Sequence, residues 1–247
     1  LPFIELQTVD STNNYALEQV HAGLAVHGMA IFAHDQSAGK GQRGRKWASR
    51  PGENIALSLV LQPSLPAGQQ FQLSATVALA LQRFFQDFTG GNPSIKWPND
   101  LYWEDRKAGG ILIENIIRSP GHWAWAIVGI GVNINQEAFS PDLPNPVSLL
   151  QITGRKHDPA GLARQICQYV DQAYRQLLDG KFTLVYDEYV SRLYRLHQYQ
   201  KFARGNRVFE AEVRGVTPAG KLVLYHGIEE EIEFGDIEWR IDQHPKS

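Results

Sequence analysis

Apolar and polar residues alternate from Asn54 to Leu61, with Ile55, Leu57, Leu59 and Leu61 on one side and Ala56, Ser58 and Val60 on the other. A period of two predicts a strand. The same reading gives strands at 3–9 and 28–34, the latter with Gln36 at its exit, and an apolar strand at 124–133 broken by Gly129 and Gly131. Lys107 opens another strand, which contains Gly109 and Gly110. Steps of three and four residues mark helices instead. Tyr15, Ala16, Leu17 and Val20 follow the polar run Asp10-Ser11-Thr12-Asn13-Asn14. Leu73 to Phe88 mark a helix over about 68–88, Leu162 to Leu177 one stopped by Gly180, and Leu184 to Leu193 one over 182–194.

From about Gln198 the texture changes. Short alternating segments at 207–214, 221–225 and 231–234 are separated by Pro218-Ala219-Gly220 and His226-Gly227, a pattern that predicts a small β-barrel. The acidic run Glu229-Glu230-Glu231 reads as a solvated turn. The expected organisation is therefore an α+β domain over residues 1–197, with a mixed sheet flanked by helices, and a small β-domain over 198–247.

Composition removes several functional classes. With 24 basic and 26 acidic residues the chain has no basic excess, which argues against a general nucleic-acid binder. Cys167 is the lone cysteine, so neither an internal disulfide nor a thiolate zinc cluster is expected. The eight histidines are scattered without metal-ligand spacing, and no metal site is predicted. There is no signal peptide and no long uncharged apolar run, so a soluble cytoplasmic protein is expected.

Charge is nevertheless concentrated in one place. Gly39-Lys40-Gly41-Gln42-Arg43-Gly44-Arg45-Lys46-Trp47 carries four cations, and no carboxylate follows until Glu53. A glycine-rich backbone can turn N–H groups toward an anion, and cations beside it add charge-assisted bonds. The loop is read as anion-binding. Gly39, Gly41 and Gly44 match G-x-G-x-x-G, but Pro51-Gly52 and the absence of a following apolar helix exclude a dinucleotide fingerprint. The Ser or Thr that a phosphate loop needs after Gly-Lys is missing as well. Elsewhere, Asp10 to Asn14 suit a helix cap or a hold on a polar ligand group. Trp97 before Pro98 is pushed to extended geometry. Paired glycines within a strand suggest close approach of a backbone or ligand.

Four segments in order resemble the biotin protein ligases: Asp10-Ser11-Thr12-Asn13; Gln36 to Trp47; Lys96-Trp97-Pro98-Asn99-Asp100 with Arg106-Lys107-x-Gly-Gly-Ile-Leu; and Gly129-x-Gly-x-Asn133. The resemblance covers about residues 3–195, and the C-terminal β-domain is similar to that family's SH3-like barrel. It implies a fold of the class II aminoacyl-tRNA synthetase/biotin synthetase type. The implied reaction has two steps. ATP and biotin give biotinyl-5′-AMP and pyrophosphate, and a lysine amine of a biotin carboxyl carrier protein domain then takes the acyl group.

By that pattern Ser11, Thr12, Asn13 and Gln36 would face the ureido ring of biotin. Lys40, Gly41 and Gln42 would lie along its carboxylate and the phosphate, and Gly110, Leu112, Gly129 and Gly131 would complete the biotin site. Lys107 would hold carboxylate and α-phosphate together. Arg43, Arg45, Asn99 and Asn133 would serve the adenylate with Lys40, and Trp47 would cover the adenine. Lys107, Arg45 and Asp100 are the expected catalytic set. Magnesium would arrive on the ATP phosphates.

Many family members have arginine where this chain has Gln42, which implies a looser hold on the adenylate here. A lipoate–protein ligase, sharing the adenylation logic, is the alternative, but lipoate offers no ureido group to the Ser11–Thr12–Asn13–Gln36 set. The first strand starts at Phe3, so a monofunctional ligase without an N-terminal DNA-binding domain is expected, with no nucleic-acid or membrane partner. A homodimer stays open.

Overall fold

Alternation in the strands and three-to-four periodicity in the helices produce a sheet packed on both faces. The computed structural model describes residues 2–119 and 121–241. In chain order the elements are β1 (Phe3–Val9), α1 (Thr12–His21), β2 (Met29–Gln36), β3 (Ile55–Leu61), α2 (Gln70–Thr89), β4 (Ser94–Lys96), β5 (Asp100–Trp103), β6 (Arg106–Ser119) and β7 (His122–Val132). There follow α3 (Leu149–Thr153), α4 (Pro159–Leu178), α5 (Phe182–Ser191), β8 (Tyr199–Arg204), β9 (Arg207–Val216), β10 (Leu222–Tyr225), β11 (Glu229–Ile232) and β12 (Glu238–Arg240).

The larger sheet has the order β1-β2-β3-β7-β6-β5-β4. β1 and β2 run parallel with α1 as their crossover, and every other neighbouring pair is antiparallel, so the sheet is mixed. Leu57, Leu59, Leu61, Val128, Ile130 and Val132 join the side chains of α2 and α4 in the main core. The opposite face carries Met29, Ile31, Val60 and Ile127 beneath Ala16 and Val20 of α1. The strict alternation of β3 thus serves two layers, and all seven of its residues are buried.

Local chemistry sets the helix ends. Asp158 accepts from the amides of Ala160 and Gly161 ahead of Pro159, which lacks a donor where the helix needs none. Ser148 and Gln151 close a capping box on α3. Ser11 is the N-cap of α1 but makes no side-chain cap bond, so its hydroxyl is not spent on the helix.

β8 to β12 form a second, antiparallel sheet of order β11-β10-β9-β8-β12, consistent with an SH3-like domain. The acidic run predicted as a turn is corrected here. Glu229, Glu230 and Glu231 form edge strand β11 against β10. Glu230 lies against Arg204 and His226 and Glu231 against Lys221, and a charged edge also discourages pairing with another chain. Among the described residues no helix is long and apolar enough to cross a membrane.

Candidate active site

A cavity of about 500 Å³ opens on the α1 side of the sheet, between the start of α1, the loop after β2 and the second sheet. Its floor is made by missing side chains. Gly110 and Gly131 face each other across β6 and β7, and Leu112 faces Gly129. A Cβ on Gly129 would lie 2.5 Å from Asn13 Oδ1, and one on Gly131 would lie 2.5 Å from the Trp47 indole. At Gly110 it would meet Asp100 Oδ1 at 3.1 Å and Lys107 Nζ at 3.3 Å. The expected close approach is therefore real, and side chains of this protein make it.

At the inner end a hydrogen-bond relay fixes the polar groups. Gln36 Oε1 accepts from the Thr12 amide at 2.8 Å and from the Thr12 hydroxyl at 3.1 Å. Two donors on one atom identify it as the carbonyl oxygen, so the Gln36 amide nitrogen, which has no partner among the described residues, is the group left for a ligand. Ser58, fully buried on β3, stands 2.8 Å from Thr12 Oγ1 and 2.6 Å from Asn13 Oδ1. Asn13 Nδ2 donates to Glu114 at 2.6 Å, and Lys40 Nζ lies 3.6 Å from the other oxygen of that carboxylate. Ser11, buried at the same end, has a hydroxyl with no partner among the described residues. Neither Ser58 nor Glu114 was expected at the site. Ser58 could have been found as the polar residue on the otherwise apolar inner side of its strand.

The loop after β2 folds as a small hairpin. The amides of Gly41, Arg45 and Trp47 donate to Arg45, Gln42 and Gly39 carbonyls at 2.7, 3.1 and 2.9 Å. These three N–H groups close the turn, and side chains of the loop face the cavity. Gly41, Gln42 and Lys40 line the cavity, as do Arg45 and Trp47. Trp47 lies over Gly131, and its buried indole N–H has no partner among the described residues. Arg43, expected at the adenylate, has φ 55° and sends one arm 2.9 Å to the Gly235 carbonyl of the second sheet, with its guanidinium 5.5 Å from the Phe234 ring centre.

Lys107 reaches the cavity through a β-bulge. Tyr102 pairs with Lys107 and Leu101 with Gly109, so Ala108 is the extra residue. Without it Lys107 and Gly110, three apart, would point to opposite faces. With it, Lys107 Nζ binds Asp100 Oδ1 at 2.7 Å on the cavity side, half-buried, which removes the reading of a solvated strand-end cation. Asn99 and Asn133 border the cavity too, but their amides are used on backbone. Asn99 bonds the Ile111 carbonyl, and Asn133 bonds those of Val147 and Lys107 at 3.1 and 3.3 Å. They hold the surrounding strands and the Pro-rich loop in place. Among the described residues no group of three or more His, Cys, Asp or Glu is placed to hold a metal ion.

Fold and cavity define an α+β ligand-binding domain whose trough is partly walled by a small C-terminal β-domain. The biotin/lipoate A/B protein ligase family model matches residues 5–133, and the chain belongs to that family. It is 34% identical to a biotin–[acetyl-CoA-carboxylase] ligase of Paracoccus denitrificans over 226 residues, covering 89% of this chain and 92% of that one. It is 30% identical to the bifunctional ligase/repressor BirA of Escherichia coli over 224 residues, covering 89% of this chain and 68% of BirA. Among solved structures, the biotin protein ligase of Aquifex aeolicus in complex with biotin and ATP superposes with a TM-score of 0.81. The two are 25% identical, and the match covers 98% of this chain and 99% of that one.

Proposed function

We propose that the chain is an ATP-dependent biotin–protein ligase, which forms biotinyl-5′-AMP and passes the biotinyl group to a lysine amine of a biotin carrier domain. The observation that carries this reading is the division of the cavity. A recess of oriented hydroxyl and amide groups stands at one end, and a cluster of cations, with Lys107 on Asp100 and the Arg45 side chain in no ion pair among the described residues, stands at the other. A ureido ring supplies both N–H donors and a carbonyl acceptor, which Ser11 and the Gln36 amide at the inner end can meet. Thr12, Asn13 and Ser58 hold those groups in orientation. The glycine floor at 110, 129 and 131, with Leu112, leaves depth for the ring system and its acyl chain.

The first step joins two anions, so charge must be neutralised before a bond can form. A carboxylate oxygen attacks the α-phosphorus, and the bond from that phosphorus to the β-phosphate breaks with its electron pair leaving on pyrophosphate. Lys107 is a compact charge able to share itself between carboxylate and phosphate once drawn from Asp100, and Arg45 offers a planar fork. Lys40 adds charge from the loop. Trp47 over Gly131 supplies a flat surface for the adenine. In the second step the carrier amine attacks the acyl carbon, AMP leaves, and Asp100 is the carboxylate beside the reacting centre. Magnesium travels with the nucleotide. The catalytic domain extends to residue 197, the SH3-like domain begins at residue 198, and the enzyme works in the cytoplasm.

Biotin-dependent exchange of labelled pyrophosphate into ATP tests the reading, run beside lipoate and a DNA-shift assay. Exchange with biotin and none with lipoate is expected. Exchange supported by lipoate alone would move the chain to the other branch of its family.

A further inference from the structure

One cation at the mouth has no role in the scheme above. Lys96 ends β4 and faces Asp100 across the hairpin, so its side chain stands on the cavity side of the sheet, and it lines the cavity. Its ammonium is 5.1 Å from the ring centre of Tyr102 and 5.7 Å from that of Trp239, which belongs to the second sheet. Among the described residues it makes neither a hydrogen bond nor an ion pair. The Asp100 carboxylate opposite it is held through Oδ1 by Lys107 at 2.7 Å. Burial lowers the ammonium to about 8, with Lys107 and Arg45 acting the same way and Asp100 opposing them.

A lysine withdrawn from water without a carboxylate is costly, and aromatic faces offset only part of that cost. Here Lys107 takes Asp100, Glu238 at the cavity edge is paired with Arg240, and Lys96 is left with a charge that no carboxylate meets among the described residues, turned toward the cavity. The sheet order says where that charge would act. The recess lies over β3 and β7, Lys107 stands on β6, and Lys96 stands beyond it on β4. An acid arriving from the recess attacks phosphorus held at Lys107, and the leaving oxygen of an in-line displacement departs on the opposite side. That side is where Lys96 stands.

We infer that Lys96 is an anion-binding residue of the adenylation step, which holds the β- and γ-phosphates of ATP and then the departing pyrophosphate. The inference rests on the ligase reading. The lysine donates hydrogen bonds to phosphate oxygens and transfers no proton. Tyr102 and Trp239 shelter its charge until the nucleotide arrives, which gives the C-terminal domain a part in nucleotide binding.

The test is a calorimetric titration of inorganic pyrophosphate with magnesium into the full chain, with biotin absent. Lys96→Met is expected to weaken binding by about tenfold or more, the loss of one hydrogen-bonded charge. Lys96→Arg, which keeps the charge, should stay within about threefold of the parent. Biotin affinity measured without nucleotide should move less than about twofold in either variant, because the recess is remote. Equal pyrophosphate affinity in the parent and Lys96→Met overturns the inference, as does a parent that binds no pyrophosphate. If Lys96→Met loses thermal stability alone, the residue is a strut beneath Trp239, and the proposal also fails. Biotin-dependent exchange by the parent is scored separately. Its absence, with Lys96-dependent pyrophosphate binding intact, would remove the ligase reading and leave the anion site.

Discussion

The two ends of the cavity are built on opposite plans. At the inner end Thr12, Asn13, Ser58 and Glu114 satisfy one another, and only Ser11 and the Gln36 amide are held in reserve. At the mouth the side chains of Lys96 and Arg45 make no hydrogen bond or ion pair among the described residues, and Lys107 shares one carboxylate. The difference follows from what each end would bind. A neutral ring is recognised by direction, so its donors and acceptors must be fixed before it arrives. A polyanion is recognised by charge, and cations left unpaired there need not first be released from carboxylates.

Removing charge from the mouth should have the largest effect. Lys107→Ala should slow pyrophosphate exchange by about a hundredfold or more while leaving the melting temperature near that of the parent. Near-normal exchange would return Lys107 to the role of a surface cation. Filling the floor comes next. Gly129→Ala puts a methyl on Asn13 Oδ1, and it should weaken biotin by about tenfold or more with little change in nucleotide affinity. Equal biotin affinity would show that the recess yields easily. Ser58→Ala removes the donor shared by Thr12 and Asn13, so about a fivefold loss of biotin affinity is expected, again without a change in the KM for ATP. A loss confined to ATP would erase the distinction between the ends. Gln42→Arg adds charge at the mouth and should slow release of the adenylate by about threefold, read by rapid filtration; equal release rates would count against the loose hold expected from the neutral amide.

The smallest effect lies outside both ends. Glu188 of α5 makes a two-pronged pair with Arg83 of α2, which holds its carboxyl below the usual range. A depressed carboxyl stabilises the fold above its unfolded pKa, and that contribution is lost as pH falls through the folded value. Glu188→Gln should therefore cost about 1 kcal/mol near neutral pH, discounted for partial exposure, and progressively less in acid. Denaturant unfolding at several pH values reads this. A deficit that grew in acid would contradict the assignment, and exchange kinetics should not move.

Much of the scaffold could be read from periodicity because single residues carry the signal. Leu73 to Phe88 and Leu162 to Leu177 each turn one face to the core at the helical period, and Ile55 to Leu61 alternate between the two layers at the strand period. β4 and β12 could not be read, since three residues are too few to show alternation, and α3 is only five residues long. The acidic edge strand was hidden by its own charges, which the partners on neighbouring strands explain only in three dimensions. At the site, the polar run, the loop and the glycines were visible as motifs. Which of their groups remain free was not. Asn13 is spent on Ser58 and Glu114, and Arg43 is spent on a carbonyl nearly two hundred residues away. Lys96 stood in plain view within a motif, but its isolation depends on Lys107 having taken Asp100.

The unpaired residue at Ala108 gives this enzyme an unusual vulnerability. Excising that single alanine would reverse the phase of Arg106 and Lys107 and turn the Lys107 ammonium away from the cavity and from Asp100. A fully buried core residue, and the bond its carbonyl accepts from Asn133, would go with it, so the register that aims the cation is tied to the packing beneath it.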